Sequence, residues 1–132
     1  MAVDDYFKNY REHTAIKHAI LKDYLAAWVP ILGSWNNKIA YIDGFCGPGY
    51  YEYEGEIYDG SPVIALKTAA DFSDRVQVYC IFIDKEKKYC EELENRIKEL
   101  NLKVQYKIIC AEFEDVLTHL LDNVDRLVPA FY

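Results

Sequence analysis

No stretch of this sequence is apolar for long enough to cross a bilayer, which takes roughly 20 residues. The first ten residues are polar and mixed in charge, so no secretion signal is visible. A cytoplasmic protein without membrane contact is therefore expected. Histidine is scarce, and His13, His18 and His119 fit no metal-ligand spacing. None of the four cysteines forms a Cys-x-x-Cys pair, and no histidine follows at zinc spacing. No metal is expected, and Cys46, Cys80, Cys90 and Cys110 read as reduced, buried thiols. Basic residues are the minority, 15 against 22 acidic, for a net charge of -7. That balance disfavours loose binding to a phosphate backbone, although a local patch would still admit a nucleic-acid substrate. Internal repeats and low-complexity tracts are absent. What is present is a 52% apolar composition over 132 residues, enough for the core of one domain or part of one.

The chain alternates helix and strand signals. Residues 1–13 read as a frayed start or short helix. Thr14 then caps a helix running to about Trp28, with Ile16, Ile20, Tyr24 and Trp28 as its apolar stripe. Pro30 and Gly33 end it. Residues 39–43 form a first strand. Residues 50–59 read as a long loop rich in Tyr and Glu. Gly60-Ser61-Pro62 opens a second helix, with Ser61 as N-cap and Pro62 at the first helical position. Residues 76–83 form a second strand, apolar throughout as expected when both faces are covered. Residues 85–100 form a helix that turns Tyr89, Leu93, Ile97 and Leu100 inward. A third strand is predicted over 104–109 and a shorter helix over 111–123, containing Phe113, Val116, Leu117 and Leu120. Residues 128–132 begin a fourth strand. This order predicts an α/β fold with a parallel sheet and right-handed crossovers. Because the sequence stops inside a strand, it is expected to be the N-terminal part of a longer protein. Residues 1–33 would be a leading helical segment and 38–132 the cofactor-binding half. An exposed last strand edge would favour dimerisation.

Three strand ends carry the chemistry. The first ends in Asp43-Gly44-Phe45-Cys46-Gly47-Pro48-Gly49, a glycine turn that lets backbone approach a ligand closely. The second ends in Asp84, and the third in Cys110-Ala111-Glu112. In a doubly wound sheet such ends line one crevice. An acid after the second strand is placed for ribose hydroxyls, and a polar group after the third for an adenine edge. A dinucleotide site would open its glycine turn directly into a helix, whose N-terminus meets the pyrophosphate. Here residues 50–59 intervene and are expected to move the helix dipole away, while Asp43 would repel a pyrophosphate. The pattern suits a ligand with a positive centre and no phosphate, and S-adenosyl-L-methionine fits. An NAD-dependent oxidoreductase is the competing enzyme reading.

Each residue also has a plainer role. Asp43 and the glycines serve a tight turn, Asp84 caps the helix that follows, and Glu112 is a first-turn carboxylate. Ala111 is the weakest candidate. Cys46 reads as a small residue in a crowded turn rather than a nucleophile, and Lys17 as a solvated helix lysine. Tyr50 is read as part of a lid that stacks on a base, and Tyr53 and Tyr58 as surface packing.

The Asp43 to Gly49 segment resembles the first motif of class I methyltransferases. Together with the helix containing His13-Thr14-Ala15-Ile16-Lys17-His18-Ala19-Ile20-Leu21 and with Gly60-Ser61-Pro62, it resembles the three-Cys-motif partner proteins (TcmP). That name refers to cysteines in a neighbouring protein, not to those of this chain. The resemblance implies a Rossmann-like class I methyltransferase fold, truncated after the start of the fourth strand. It implies S-adenosyl-L-methionine held by Lys17, Asp43, Gly44, Phe45, Cys46, Gly47, Gly49, Asp84, Ala111 and Glu112, and a three-Cys-motif protein as partner. The chain is also distantly similar to ribosomal-RNA adenine-N6 methyltransferases, which begin with a Lys-His-Thr helix and carry an Asp-x-x-x-Gly-x-Gly turn. By that similarity Lys17 and His18 reach the cofactor or substrate edge, and the acceptor is a nucleobase amine of RNA or DNA. The Asp-Pro-Pro-aromatic or Asp-Pro-Phe-Gly-like motif of such enzymes would fall just beyond Tyr132. The catalytic residues are expected there, and this chain alone is expected to be inactive. The alternative is a non-catalytic Rossmann-like interaction module acting with the three-Cys-motif partner.

Overall fold

The computed structural model describes the backbone of residues 2–35, 38–123 and 128–131, and side chains within 16–34, 38–52 and 54–119. Helix α1 (Ala2–Trp35) leads into β1 (Lys38–Asp43). A pair of short strands, β2 (Tyr50–Tyr53) and β3 (Glu56–Asp59), precedes α2 (Ser61–Asp71). Then follow β4 (Gln77–Asp84), α3 (Lys87–Leu100), β5 (Tyr106–Cys110), α4 (Phe113–Asn123) and β6 (Val128–Phe131).

The main sheet has the order β5-β4-β1-β6, and every neighbouring pair is parallel. The chain moves outward from β1 through β4 to β5, then returns to the far side of β1 as β6. The order therefore reverses beside β1, and in open α/β sheets ligands bind outside the carboxyl ends at such a point. Ile39 and Tyr41 of β1 and Val78, Cys80 and Phe82 of β4 form one core with α1, α2 and α3. Alternate residues, Ile42, Ile81 and Ile83, pack with Val116 of α4 on the other face. Cover on both faces explains why the interiors of these strands, between Lys38 and Asp43 and between Gln77 and Asp84, are continuously apolar or aromatic. The expected α/β fold with a parallel sheet and flanking helices is present.

Several expectations need correction. The first helix is continuous over 34 residues, with Pro30 inside it rather than ending it. Proline withholds one backbone bond, but Val29 is buried in the core and Leu32 packs against it, so both sides of Pro30 stay docked. Its buried stripe is Leu21, Leu25 and Val29, whereas Ile16, Ile20, Tyr24 and Trp28 are 57%, 62%, 51% and 41% exposed. The helix carries two adjacent apolar stripes, and a 3.6-residue period cannot say which one meets the sheet.

Residues 50–59 are an antiparallel hairpin, not a loop. Its two-residue turn, Glu54-Gly55, has φ of 51° and 81°. Positive φ at both central positions is the type I′ geometry that matches strand twist. Ser61 is the first helical residue of α2 and not its cap; Gly60 is the N-cap, with no side-chain hydrogen bond. On α3, Cys90 joins Leu93 and Ile97 in facing inward, while Tyr89 is exposed. Ala111 and Glu112 precede α4 rather than belonging to it. Cys110 is exposed, against the expectation of four buried thiols. The predicted places of Tyr132 and of the Leu120 side chain lie outside the described residues. Among the described residues no helix is long and apolar enough to cross a membrane.

Candidate functional site

The carboxyl end of β1 turns sharply, and hydrogen bonds from its amides to β4 hold the turn. Cys46 N donates to the Ile83 carbonyl at 3.0 Å, and Gly47 N donates to Asp84 Oδ2 at 2.9 Å. Gly47 and Gly49 have φ of 65° and 89°, which L side chains rarely adopt. A Cβ on Gly49 would also sit 2.7 Å from Leu93 of α3. The turn is thus clamped between the sheet and α3.

Asp43 closes β1 and is only 1% exposed. Its Oδ1 accepts from Phe45 N at 3.2 Å, and its Oδ2 accepts from the Ser61 hydroxyl at 2.5 Å. Burial raises the Asp43 pKa to about 6; the bonds from Ser61 and Phe45 oppose the shift, and the nearby Asp84 charge adds to it. The carboxylate therefore ionises close to neutrality with a single hydroxyl and a single amide to steady it.

The hairpin leaves and rejoins the chain at one point. Gly60 N donates to the Gly49 carbonyl at 2.9 Å, and a Cβ on Gly60 would stand 2.9 Å from the Gly49 carbonyl carbon. Hence α2 begins directly beside the glycine turn. The expectation that residues 50–59 would carry the helix N-terminus away does not hold, because the excursion is a closed hairpin. Ion pairs and hydrogen bonds fasten the hairpin to its surroundings. Tyr50 Oη donates to Glu92 at 3.2 Å, and Asp59 pairs with Lys67 at 2.6 Å and Arg96 at 3.4 Å. The Tyr51 ring lies 4.9 Å from that of His18 on α1 and stacks on Tyr58 at 5.5 Å.

Between α1, the glycine turn, the hairpin and α2 lies an open cleft of ≈ 580 Å³. Such a volume falls in the range of small-molecule sites. Of the residues expected to hold a cofactor, Lys17, Asp43, Phe45, Cys46, Gly47 and Gly49 line it. His18, Tyr50, Tyr51 and Ser61 line it too. The His18 Nδ1 is buried and has no hydrogen-bond partner among the described residues, and burial and then Lys17 lower its pKa. Burial, then the Asp43 and Asp84 carboxylates, push the Cys46 thiol up, so it stays protonated at neutral pH.

The other expected residues lie beside the cleft rather than in its lining. Gly44 is turned toward Phe113, whose ring a Cβ would meet at 2.7 Å. Asp84 uses Oδ2 for Gly47 N and Oδ1 for Glu86 N at 2.9 Å. Ala111 N bonds the Asp84 carbonyl at 3.0 Å, and Glu112 is exposed. Among the described residues no group of three or more His, Cys, Asp or Glu side chains is placed to hold a metal ion. A second cavity beneath α1, lined by Trp28, Val29 and Val78 among others, measures only ≈ 30 Å³. That is room for about one water.

Chemically, one wall of the cleft is a buried carboxylate. Beside it stand the N-terminus of α2, which favours negative charge, and the Lys17 ammonium. The lining thus offers a place for a cation and a place for an anion in one cleft. Ser61 and the α2 N-terminus were missed as site elements in the sequence. The signal was available: Tyr50-Tyr51-Glu52-Tyr53 and Glu56-Ile57-Tyr58-Asp59 flank a two-residue Glu-Gly turn.

The fold is that of an α/β protein with an open cleft at the carboxyl edge of a parallel sheet. In comparisons with known proteins, no family model, no curated protein and no solved structure matches this chain.

Proposed function

We propose that the cleft binds S-adenosyl-L-methionine, and that the chain supplies the cofactor-binding part of a Rossmann-like class I methyltransferase. The observation that carries this reading is that buried Asp43, Lys17 and the α2 N-terminus line one cleft. An α-amino acid group is a zwitterion of matching sense. Its ammonium would meet Asp43, which the Ser61 hydroxyl already steadies, and its carboxylate would meet Lys17 and the first turn of α2. The backbone of Gly47 and Gly49 leaves room for the chain between them. Each Asp84 oxygen accepts one amide bond and so keeps a second acceptor site for a ribose hydroxyl. Ala111 and Glu112, at the end of the next strand, stand where an adenine edge would follow. The strand order and the switch beside β1 fit this placement.

Bound there, the cofactor supplies an activated methyl on a sulfonium centre. The protein's part is to orient that methyl toward an acceptor and to exclude water. A nucleobase amine as acceptor, and a three-Cys-motif protein as partner, rest on the sequence resemblance of the Lys17-His18 helix, the glycine turn and Gly60-Ser61-Pro62.

One observation favours a second reading. The α2 N-terminus beside the glycine turn is also where a dinucleotide pyrophosphate would sit. The Asp43 carboxylate at the same place opposes it. Calorimetric titration separates the two. S-adenosylhomocysteine is expected to bind saturably, at least tenfold more weakly to Asp43→Asn, and more weakly as pH falls through about 6 and Asp43 takes up its proton. NAD⁺ binding tightly while S-adenosylhomocysteine does not would overturn the methyltransferase reading. Binding of neither by a folded chain would favour the interaction module.

A further inference from the structure

Outside the cleft, two thiols meet where β4, α3 and β5 converge. Asp84 and Cys110 are register partners across the parallel pair β4–β5. The Cys110 thiol donates to the Lys85 carbonyl at 3.8 Å, and the Cys90 thiol donates to the neighbouring Asp84 carbonyl at 3.5 Å. Two sulfurs held on consecutive carbonyls are brought side by side, and the Cys110 thiol is close enough to hydrogen-bond Cys90. Both face one open groove of ≈ 530 Å³ between α3 and β5, reached past Lys87 and Asn95. Their accessibilities differ: Cys110 is exposed, whereas Cys90 is 7% exposed. An accessible thiol beside a sheltered one is the arrangement of an attacked and a resolving cysteine.

We propose that Cys110 and Cys90 form a reversible intramolecular disulfide, a modification site that responds to peroxides. A hydroperoxide, ROOH, transfers one oxygen to the Cys110 sulfur, giving the sulfenic acid Cys110–SOH and releasing ROH. The Cys90 sulfur then attacks the sulfenic sulfur. The S–S bond forms as the S–O bond breaks, and the leaving hydroxyl departs with the Cys90 proton as water. The two thiols lose two electrons in all, and the peroxide O–O bond receives them. A dithiol reductant reverses the step by exchange. The bond would tie the first turn of α3 to the end of β5, behind the segment from which Asp84 holds the glycine turn.

Burial and the Cys110 thiol raise the Cys90 pKa to about 11. Exposure assigns the first attack to Cys110, since a peroxide reaches it and not the sheltered Cys90. The mechanism does not depend on what the cleft binds.

The test treats the whole chain with hydrogen peroxide, alkylates residual thiols after denaturation, and maps peptides by mass spectrometry without reduction. The expected product is monomeric, two hydrogens lighter, and cross-linked from 90 to 110. Its thiol count under denaturing conditions falls from four to two and is restored by dithiothreitol. Cys110→Ser is expected to abolish the cross-link and leave Cys90 alkylatable. Cys90→Ala is expected to trap Cys110 as a dimedone-reactive sulfenic acid. Circular dichroism confirms that each variant is folded, and the exposed Cys110→Ser change keeps the test available if Cys90→Ala is not. Three outcomes would overturn the proposal: a wild-type chain in which Cys110 proceeds to sulfinic acid while Cys90 stays a free thiol, cross-links only between chains, or no oxidation of either cysteine.

Discussion

Asp43 and Asp84 end adjacent parallel strands, yet the fold treats them in opposite ways. Asp84 accepts two backbone amides, Gly47 N and Glu86 N, from the two turns it joins. Those donors are fixed by the chain path, so the carboxylate works as a structural clamp. Asp43 is buried and has one amide and one side-chain hydroxyl. Its charge is under-compensated, and its proton is held to about pH 6. A strand-terminal acid is thus not one kind of feature. Donor count and burial decide whether the fold compensates its charge or leaves it under-compensated.

The sharpest way to test the comparison is pH. The folded Asp43 pKa of about 6 lies above the ordinary carboxyl value of 3.8, so the folded state binds this proton more tightly than the unfolded chain. Its contribution is full below about pH 4 and is lost as pH rises through 6, amounting to about 3 kcal/mol. Urea denaturation of wild type and Asp43→Asn at a series of pH values should reveal a slope between pH 4 and 6 that the variant lacks. At pH 7 Asp43→Asn is expected to be no less stable than wild type. Equal slopes in the two proteins would remove the distinction between the aspartates.

The complementary change is Asp84→Ala. Loss of both acceptors leaves the Gly47 and Glu86 amides without protein partners, at a cost of about 1–3 kcal/mol. Urea midpoints at pH 7 should therefore fall for Asp84→Ala and not for Asp43→Asn. The smallest effect belongs to Ser61→Ala, which deletes the hydroxyl donor to Asp43. About 1 kcal/mol should be lost at pH 7 and less at pH 4, where Asp43 is already protonated. NMR titration of Asp43 in that variant should show its pKa moved further upward.

Much of the fold was legible because its signals are local. Continuous apolar strands at 76–83 and around 39–43, bounded by Gly and Asp, admit few alternatives to a parallel sheet. The glycine turn was legible for the same reason, since Gly47 and Gly49 are needed by backbone geometry. What escaped depended on tertiary placement. Leu21 and Ile20 are adjacent and equally apolar, and only docking on the sheet decides that the first is buried and the second exposed. Ser61 in Gly-Ser-Pro looks like a cap by local rules, but its hydroxyl is claimed by Asp43, eighteen residues away in sequence. The separation of Asp84 from the cleft lining likewise follows from which turn its oxygens reach, a matter of three-dimensional path.

The neck of the hairpin has a consequence for how this chain could be rearranged. Gly49 and Gly60 touch through a backbone bond, so the β1–turn–α2 unit is geometrically complete without residues 50–59. The hairpin behaves as an insert with coincident entry and exit. Its tip, Glu54-Gly55, is exposed and turned away from the core. Tips of this kind accept new termini or foreign segments with least disturbance to the host. The same neck makes the hairpin an exchangeable cassette: a different sequence of similar span would change the wall of the cleft while β1, the glycine turn and α2 stayed in register.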